Sequence, residues 1–199
     1  MSIENFWNNV YKETETQRLP WYYPVLDGDV RKALKRLGLS GGRMLDLGTG
    51  PGTQAIALKK MGFDVVGIDI SIEAIRQSRE RARAEGVAIE FIRCNIIKAR
   101  LSRGQFDCVL DRGIFHTINP ENRQAYVKKI NGMLKRDGIY LMKCFSTKTP
   151  GTWGPYRFTM DQIRDYFGSQ FKILSMRDSI FQGPMGEQPK AIFCIMKPK

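Results

Sequence analysis

Three glycines and two carboxylates are the residues of this chain whose types and spacing point most directly to chemistry. Gly48, Gly50 and Gly52 alternate with other residues directly after an apolar run that contains Asp46. Glycine lets the backbone adopt positive φ and lets a ligand approach without meeting a Cβ atom. A second acid, Asp69, follows Gly48 by 21 residues (69 − 48). An acid at about 20 residues from such a loop binds ribose hydroxyls in dinucleotide-binding folds, so the pattern predicts a nucleoside site.

The spacing of the glycines argues against a dinucleotide. The dinucleotide fingerprint is G-x-G-x-x-G, but here Thr53 stands at the third glycine position and Gly52 comes one residue early. Asp46 would repel a pyrophosphate and attract a cationic ligand. A nicotinamide-dependent oxidoreductase is therefore disfavoured.

The segment Met44–Gly52, MLDLGTGPG, resembles the first motif of the class I S-adenosylmethionine-dependent methyltransferases. In that family the glycine loop wraps the amino-acid part of the cofactor, and the acid in the strand helps to hold it. The resemblance implies S-adenosyl-L-methionine as the cofactor. The implied cofactor-binding residues are Asp46, Gly48, Thr49, Gly50, Gly52, Asp69, Ile70, Asn95, Ile96, Asp111, Arg112 and Trp21.

The adenine contact is expected after the third predicted strand, at Asn95. The family commonly has an aspartate there, and asparagine departs from that pattern. Its side-chain oxygen can still accept a hydrogen bond and its amide can donate one. The backbone N–H of Ile96 could serve the same purpose, and Asn95 is alternatively a turn residue.

Asp111-Arg112-Gly113 follows the fourth predicted strand and resembles the family's fourth motif, which lies beside the methyl group. The resemblance implies that Asp111 holds the ammonium group of the cofactor. Arg112 either binds the cofactor carboxylate or pairs with a surface acid. His116, the only histidine, is the second candidate catalytic residue besides Asp111. Either it takes a proton from the acceptor, or it is a loop histidine with satisfied hydrogen bonds.

Strands must alternate with helices to position these residues. Short apolar runs predict strands, and apolar residues at helical spacing predict helices. The chain is expected to be α/β, with a three-layer Rossmann-like sheet, mostly parallel with a C-terminal antiparallel hairpin strand, and helices on both faces. The resemblance implies one methyltransferase domain over residues 1–199, with an N-terminal helical cap or lid over 1–39 and a cofactor-binding core over 40–199. The predicted strands cover 44–47, 63–70, 88–94, 106–110, 138–145, 171–176 and 191–196. The predicted helices cover 4–13, 30–37, 53–61 and 71–85. Two more helices are expected to start at Asn119-Pro120 and at the Thr159–Gln162 capping box.

Aromatic residues near the start suggest a lid over the pocket. The opening FWNNVYKE followed by LPW is similar to small-molecule methyltransferases of the thiopurine, thiol and tellurite-resistance type. Aromatic faces attract a sulfonium cation by about 0.5 to 2 kcal/mol. The candidates for this lid are Trp7, Tyr11, Trp21, Tyr22 and Tyr23. Trp7 is expected to be a core anchor, whereas Trp21 is expected to face the cofactor. Arg157 would suit an anionic acceptor or is simply a surface arginine. The residues expected to line the acceptor side are Tyr22, His116, Trp153, Tyr156 and Arg157.

Composition limits the function classes. The net charge is +12, with 42% hydrophobic and 26% charged residues, as expected for a globular protein. The basic residues are spread over several predicted helices, which argues for a solvated surface rather than a nucleic-acid stripe. Four scattered cysteines and one histidine argue against a metal site. The sequence has no apolar run of membrane-spanning length and opens without a secretory signal, so a cytoplasmic location without membrane association is expected.

The expected function is an S-adenosylmethionine-dependent methyltransferase that transfers a methyl group by in-line displacement to a small-molecule acceptor. The first alternative is an RNA methyltransferase of the same fold, disfavoured because Asp111-Arg112-Gly113-Ile114 stands where an N-P-P-Y-like motif would be. The second alternative is a non-catalytic protein that binds S-adenosylmethionine.

Overall fold

Strands and helices alternate along the chain in the order that its apolar runs predict. The computed structural model describes residues 1–99, 102–152, 154–184 and 186–199. The strands are β1 (Arg43–Leu47), β2 (Asp64–Asp69), β3 (Glu90–Arg93), β4 (Phe106–Arg112), β5 (Leu134–Phe145), β6 (Phe171–Ile180) and β7 (Lys190–Pro198). The helices are α1 (Ile3–Glu13), α2 (Gly28–Arg36), α3 (Thr53–Lys60), α4 (Ile72–Ala84), α5 (Arg123–Met133) and α6 (Met160–Phe167).

The strand order confirms the predicted fold class. Over the described residues the seven-stranded sheet has the order β3-β2-β1-β4-β5-β7-β6. Strands β1 to β3 pair in parallel, as do β4 and β5, whereas β7 is antiparallel to both β5 and β6. This is a mostly parallel sheet that ends in an antiparallel hairpin, with α3, α4 and α5 connecting β1 to β2, β2 to β3 and β4 to β5, which matches the predicted Rossmann-like arrangement.

The chain divides into two compact units, Met1–Ala99 with Gln182–Gly186 and Arg100–Phe181 with Glu187–Lys199. In the first unit β1 lies beside β2, and their buried side chains form the core. The register pairs Asp46 with Gly67 and Leu47 with Ile68, so β1 and β2 end at the same edge. Polar residues that follow parallel strands gather at that edge, which is where ligands bind in open α/β sheets.

The N-terminal segment of the first unit (residues 1–39) contains the two predicted helices. Asp27 caps α2, since its side chain accepts from the backbone N–H of Asp29 at 3.0 Å. Gln54 of α3 connects the preceding loop to the rest of the unit. Its side chain accepts from the Asp27 N–H at 2.8 Å and donates to the carbonyl of Val25 at 3.0 Å. A buried glutamine thus anchors the loop before α2.

In the second unit the last strands are longer than predicted. β5 begins at Leu134 rather than at 138, because its register shifts between the pairs Phe106–Leu134 and Cys108–Ile139. Between these pairs β4 advances by two residues and β5 by five, so β5 accommodates three extra residues in the irregularity. The predicted capping box of α6 is confirmed, with the Thr159 side chain accepting from the Gln162 N–H and the Gln162 side chain accepting from the Thr159 N–H.

The predicted start of α5 is wrong. A helix with an Asn119 cap and Pro120 in its first position was expected, but residues Pro120–Asn122 form a 3-10 turn and α5 begins at Arg123. The Asn122 N–H donates to the Asn119 carbonyl at 2.9 Å, which closes the tighter i to i+3 ring. Asn119 makes no side-chain capping bond. The N-terminal turn of α5 therefore presents an arginine.

No helix in the described part of the chain is both long enough and apolar enough to span a membrane.

Candidate functional site

The glycine loop (residues 48–52) follows the end of β1, and its three glycines have their backbones in the left-handed region. The φ angles of Gly48, Gly50 and Gly52 are 62°, 52° and 79°, values that favour glycine because it lacks a Cβ atom. The buried Asp46 accepts a hydrogen bond from the Thr49 hydroxyl at 2.7 Å. The sequence thus predicts correctly that the glycines make a tight turn at the edge of the sheet.

Asp69 holds the glycine loop from the end of β2. One carboxylate oxygen accepts from the Gly50 N–H at 2.9 Å, and the other accepts from the Ser71 N–H at 2.9 Å. Burial raises the pKa of Asp69 to about 6, against the opposing effect of these backbone donors. The structure therefore brings together two of the predicted cofactor residues, Asp69 and Gly50.

Tyr11 of α1 lies over the glycine loop. A Cβ atom added to Gly50 would come within 2.9 Å of the Tyr11 hydroxyl oxygen. The hydroxyl therefore lies against the side of Gly50 that has no side chain. Burial and the neighbouring Asp69 carboxylate raise the pKa of Tyr11 well above its usual value. Trp21 donates a side-chain hydrogen bond to Tyr11, and its ring lies 6.2 Å from the Tyr11 ring. This places the predicted cofactor residue Trp21 beside the loop, through Tyr11.

Tyr22, an expected acceptor-side residue, faces α4. Its hydroxyl accepts from Arg81 at 3.4 Å, and the Arg81 guanidinium lies 5.5 Å from the centre of its ring. Tyr22 is half-buried there. The two neighbouring aromatics of the predicted lid, Trp21 and Tyr22, therefore have different surroundings.

Side-chain hydrogen bonds fasten α1 to α4. The Asn8 side-chain oxygen accepts from the Ser71 hydroxyl at 2.8 Å and from the Ile72 N–H at 2.9 Å. The Gln77 amide donates to the Tyr11 carbonyl at 2.8 Å. These bonds hold Tyr11 in place above the glycine loop.

The residues after β3 form a turn. The Asn95 side-chain oxygen accepts from the Ile97 N–H at 3.0 Å, and its carbonyl accepts from Lys98 and Ala99. This geometry supports the turn role that the sequence left open for Asn95. By contrast, the Ile96 N–H donates to no described residue, and Ile96 is half-buried. Ile70, directly after Asp69, offers its carbonyl to Arg93 at 3.4 Å.

In the second unit Asp111 is fully buried and organises the loop after β4. Its carboxylate accepts from the backbone N–H groups of Gly113, Ile114 and Phe115. It also accepts from the hydroxyls of Tyr126 at 2.7 Å and Tyr140 at 2.8 Å. Burial raises the pKa of Asp111 despite these donors. This network of five donors fixes the conformation of the loop after β4.

His116 sits in the same loop, packed against the rings of Phe145 and Phe181. Its Nδ1 accepts from the Phe145 N–H at 3.0 Å, so the proton of the neutral ring is on Nε2. Burial, with a smaller contribution from the Arg112 charge, lowers the pKa of His116 to about 3. A group with so low a pKa is a weak base at neutral pH. The geometry thus favours the satisfied loop histidine over the proton acceptor.

The remaining expected site residues of the second unit are spread around this loop. The Arg112 guanidinium lies 5.5 Å from the centre of the Phe181 ring. Tyr156 donates its N–H to the His116 carbonyl at 2.9 Å and keeps 44% of its surface exposed. Arg157 reaches the Pro150 carbonyl at 3.4 Å. Trp153 lies outside the described residues.

Two residues with site geometry escaped the sequence reading as ligand contacts. Tyr11 was expected only as part of the aromatic lid, and its place on Gly50 depends on how α1 packs. Arg123 was not singled out at all. Its position in the sequence could have indicated it. A cation in the first turn of a helix is unfavourable because it opposes the helix dipole, so an arginine there suggests a role other than stabilising the helix.

The first unit fits a positively charged nucleoside. A loop with three glycines, a carboxylate with a pKa of about 6 and an aromatic pair meet at one strand edge. The acids Asp46 and Asp69 give the edge negative charge, which suits a sulfonium cation better than a pyrophosphate.

Sequence comparisons place the chain among methyltransferases. A family model described as a methyltransferase domain matches residues 44–138. An uncharacterized methyltransferase of Schizosaccharomyces pombe is 30% identical over 113 residues, which cover 57% of this chain and 78% of that protein. The carboxy-S-adenosyl-L-methionine synthase of Nautilia profundicola is 32% identical over 136 residues, which cover 67% of this chain and 57% of that protein. The chain spans about half the length of the first curated relatives that it matches, 57% and 51%.

Solved structures confirm the fold. A protein studied for the conversion of a disulfide bond into a thioacetal group during echinomycin biosynthesis superposes with a TM-score of 0.86 at 23% identity, over 100% of this chain and 93% of that one. TehB from Haemophilus influenzae superposes with a TM-score of 0.74 at 18% identity, over 96% of this chain and 67% of that one.

Proposed function

Since the chain belongs to the class I S-adenosylmethionine-dependent methyltransferases, we propose that it transfers a methyl group by in-line displacement to a small-molecule acceptor. The cofactor is S-adenosyl-L-methionine. The observation that carries the proposal is the pairing of Asp69 with the N–H of Gly50 at 2.9 Å, which sets a carboxylate directly against a bare glycine loop.

The residues of the first unit would hold the cofactor. When it is ionised, the Asp69 carboxylate can only accept hydrogen bonds. Its two oxygens therefore suit the two ribose hydroxyls, which donate. The glycine loop offers backbone to the amino-acid part, with Asp46 behind it. The Tyr11 hydroxyl lies against Gly50, with the Trp21 ring beside that of Tyr11. An aromatic face turned to the sulfonium would add cation–π attraction. The Ile96 N–H, which donates to no described residue, suits an adenine nitrogen.

S-adenosylmethionine supplies a methyl group already activated by its positively charged sulfur. The chain therefore has to align the acceptor and exclude water, and alignment alone can contribute roughly 7 to 11 kcal/mol. His116 is neutral at physiological pH because of its low pKa. Its unprotonated nitrogen, Nδ1, already accepts from the Phe145 N–H, and a pKa of about 3 makes the ring a weak base. The proposed acceptor is therefore nucleophilic without a histidine base.

Two further proposals concern the whole chain. Residues 1–39 act as a lid on a single catalytic domain, supported by the hydrogen bonds that fix α1 over the glycine loop. The protein acts in the cytoplasm.

RNA remains the weaker alternative acceptor, since the basic residues are spread over several helices rather than collected in a stripe.

The test is a transfer assay with a labelled methyl donor and pools of thiols, amines, phenols, tellurite and bulk RNA. We expect label in a small-molecule pool with the wild type and none with Asp69→Ala. Label in RNA would support the alternative acceptor. Binding of S-adenosylhomocysteine without transfer to any pool would support a non-catalytic binding protein.

A further inference from the structure

A buried arginine in the second unit has aromatic partners but no carboxylate partner among the described residues. Arg123, at the start of α5, is only 6% exposed. Its guanidinium carbon lies 4.5 Å from the ring centre of Tyr156, 4.8 Å from that of Phe158 and 5.4 Å from that of Tyr166. We call this group the arginine cage. Three rings around one guanidinium fix its plane and its direction.

The hydrogen bonds of Arg123 leave most of its donors unused. Nε donates to the Ile118 carbonyl at 3.1 Å and Nη1 donates to the Tyr166 hydroxyl at 2.9 Å. An arginine carries five N–H donors, so three have no acceptor among the described residues. No ion pair joins Arg123 to a described acid. Burying a charge without a counter-ion is unfavourable, and an anionic ligand bound at the unused donors would offset that cost.

The cage lies beside the loop that carries the candidate acceptor-side residues. Tyr156 donates its N–H to the His116 carbonyl, and Phe158 stacks 4.8 Å from Phe115, the neighbour of His116. These residues follow the carboxyl ends of β4 and β5, the edge at which ligands bind in open α/β sheets. Tyr156 is 44% exposed, so one wall of the cage is open to solvent while Phe158 closes the other.

We propose that Arg123 binds an anionic oxygen group of the methyl acceptor, a carboxylate or a phosphate, through its unused Nη donors. A planar guanidinium binds both groups in a bidentate manner. The inference rests on the proposed function, because it narrows the acceptor to acidic small molecules. It also moves the anion contact from Arg157, which reaches the Pro150 carbonyl, to Arg123.

The test measures anion binding by the full chain with two probes, benzoate and inorganic phosphate. Melting temperature is followed against probe concentration at an ionic strength held constant with chloride, because a ligand of the folded state raises the melting temperature. We expect at least one probe to stabilise the wild type saturably. Arg123→Met should need at least tenfold more probe for the same shift. Lys128→Met, which removes a charge from the exposed face of α5, should match the wild type.

A second measurement covers the case in which Arg123→Met does not fold. Arg123→Lys keeps the charge inside the rings but lacks the planar fork, and it should bind the probe at least threefold more weakly. In NMR spectra of the wild type, the Arg123 Nε–H signal should shift as the probe is added. That signal is assigned by its absence from the spectrum of Arg123→Lys. No saturable stabilisation of the wild type, equal probe binding by the arginine variants, or an unmoved Nε–H signal would each overturn the proposal.

Calorimetry with S-adenosylhomocysteine on the same proteins separates the two proposals. If the wild type binds this nucleoside but neither probe, only the acidic acceptor is wrong. If it does not bind the nucleoside, the proposed function fails whatever the probes do.

Discussion

At the scale of single residues, the two acids of the first unit are not equivalent. Asp46 is occupied by the Thr49 hydroxyl, whereas Asp69 bridges the glycine loop and the start of α4. The burial that raises the pKa of Asp69 to about 6 means that its charge is held against a desolvation cost. A bound cation, or two hydroxyls that donate to the carboxylate, would offset this desolvation cost.

Asp69→Ala should weaken binding of S-adenosylhomocysteine at least tenfold, or about 1.4 kcal/mol, because both ribose acceptors are lost. Calorimetry at pH 7.5 measures the change. Asp64→Ala, at the exposed start of β2, is the control and should bind as the wild type does. Equal affinity in Asp69→Ala would count against the whole cofactor assignment.

The affinity for S-adenosylhomocysteine should rise with pH through about 6, because Asp69 must lose its proton to accept from two hydroxyls. The stability of the unliganded protein should respond in the opposite way. A carboxyl with a raised folded-state pKa stabilises the fold below its unfolded pKa of about 3.9 and loses that contribution as the pH rises through 6. Affinities at pH 5 to 8 for the wild type and Asp69→Asn test this. The slope near pH 6 should vanish in the variant.

His116 should affect stability more than proton transfer. With a folded-state pKa of about 3, the neutral ring favours the fold above pH 6.5, and that contribution is lost as the pH falls toward 3, because the unfolded chain takes the proton. His116→Ala should cost about 1 to 3 kcal/mol from the lost acceptor of the Phe145 N–H, measured by urea unfolding. His116→Asn, which keeps an acceptor, should lose less. A limb of the kcat profile near pH 6.5 that disappears in His116→Asn would show instead that the ring is a base.

At the scale of elements, α1 is the part whose place decides access to the glycine loop. It is fastened through Asn8 to the Ser71 hydroxyl and the Ile72 N–H, and through its Tyr11 carbonyl to Gln77. Its apolar side adds the edge contact of Trp7 with Trp21 at 5.6 Å. A short helix held by so few polar bonds is an element that opens locally before the sheet does.

Asn8→Ala should loosen α1 without unfolding the sheet, because it removes the shared acceptor of two donors on α4. We expect faster hydrogen exchange in residues 3–13, by roughly the 1 to 2 kcal/mol of the two bonds, and weaker nucleoside binding. The neighbouring Asn9→Ala, at an exposed position without a side-chain bond among the described residues, is the matched control. Equal exchange in both variants would show that the aromatic contacts alone hold α1.

At the scale of the whole molecule, a bound nucleoside should stabilise the fold. At 100 times its Kd, S-adenosylhomocysteine adds about 2.7 kcal/mol to the free energy of unfolding, which corresponds to roughly 5 to 11 °C for a chain of this size. A thermal scan measures the shift, and NAD at the same concentration should give none. A shift with NAD alone would revive the oxidoreductase interpretation. The net charge of +12 makes added salt a further variable, to be held constant.

The sequence alone determined the features that depend on neighbouring residues. The period of apolar positions set the order of strands and helices, the spacing Gly48-x-Gly50-x-Gly52 set the tight loop, and the Thr159–Gln162 pair set the start of α6. These follow from backbone sterics and from hydrogen bonds that span a few residues, so they can be read locally. The boundary of α5 was misread because a 3-10 turn satisfies the same Asn-Pro signal.

Only the tertiary structure decided how distant side chains meet. It brought Tyr11 from α1 onto Gly50, buried His116 until its ring stays neutral, and placed Arg123 inside rings from residues 156, 158 and 166. The pKa of a group depends on burial and on charges from elsewhere in the chain, and no local pattern encodes either. The type of site could therefore be predicted from the sequence, whereas the protonation states and the contacts of its side chains depend on tertiary packing.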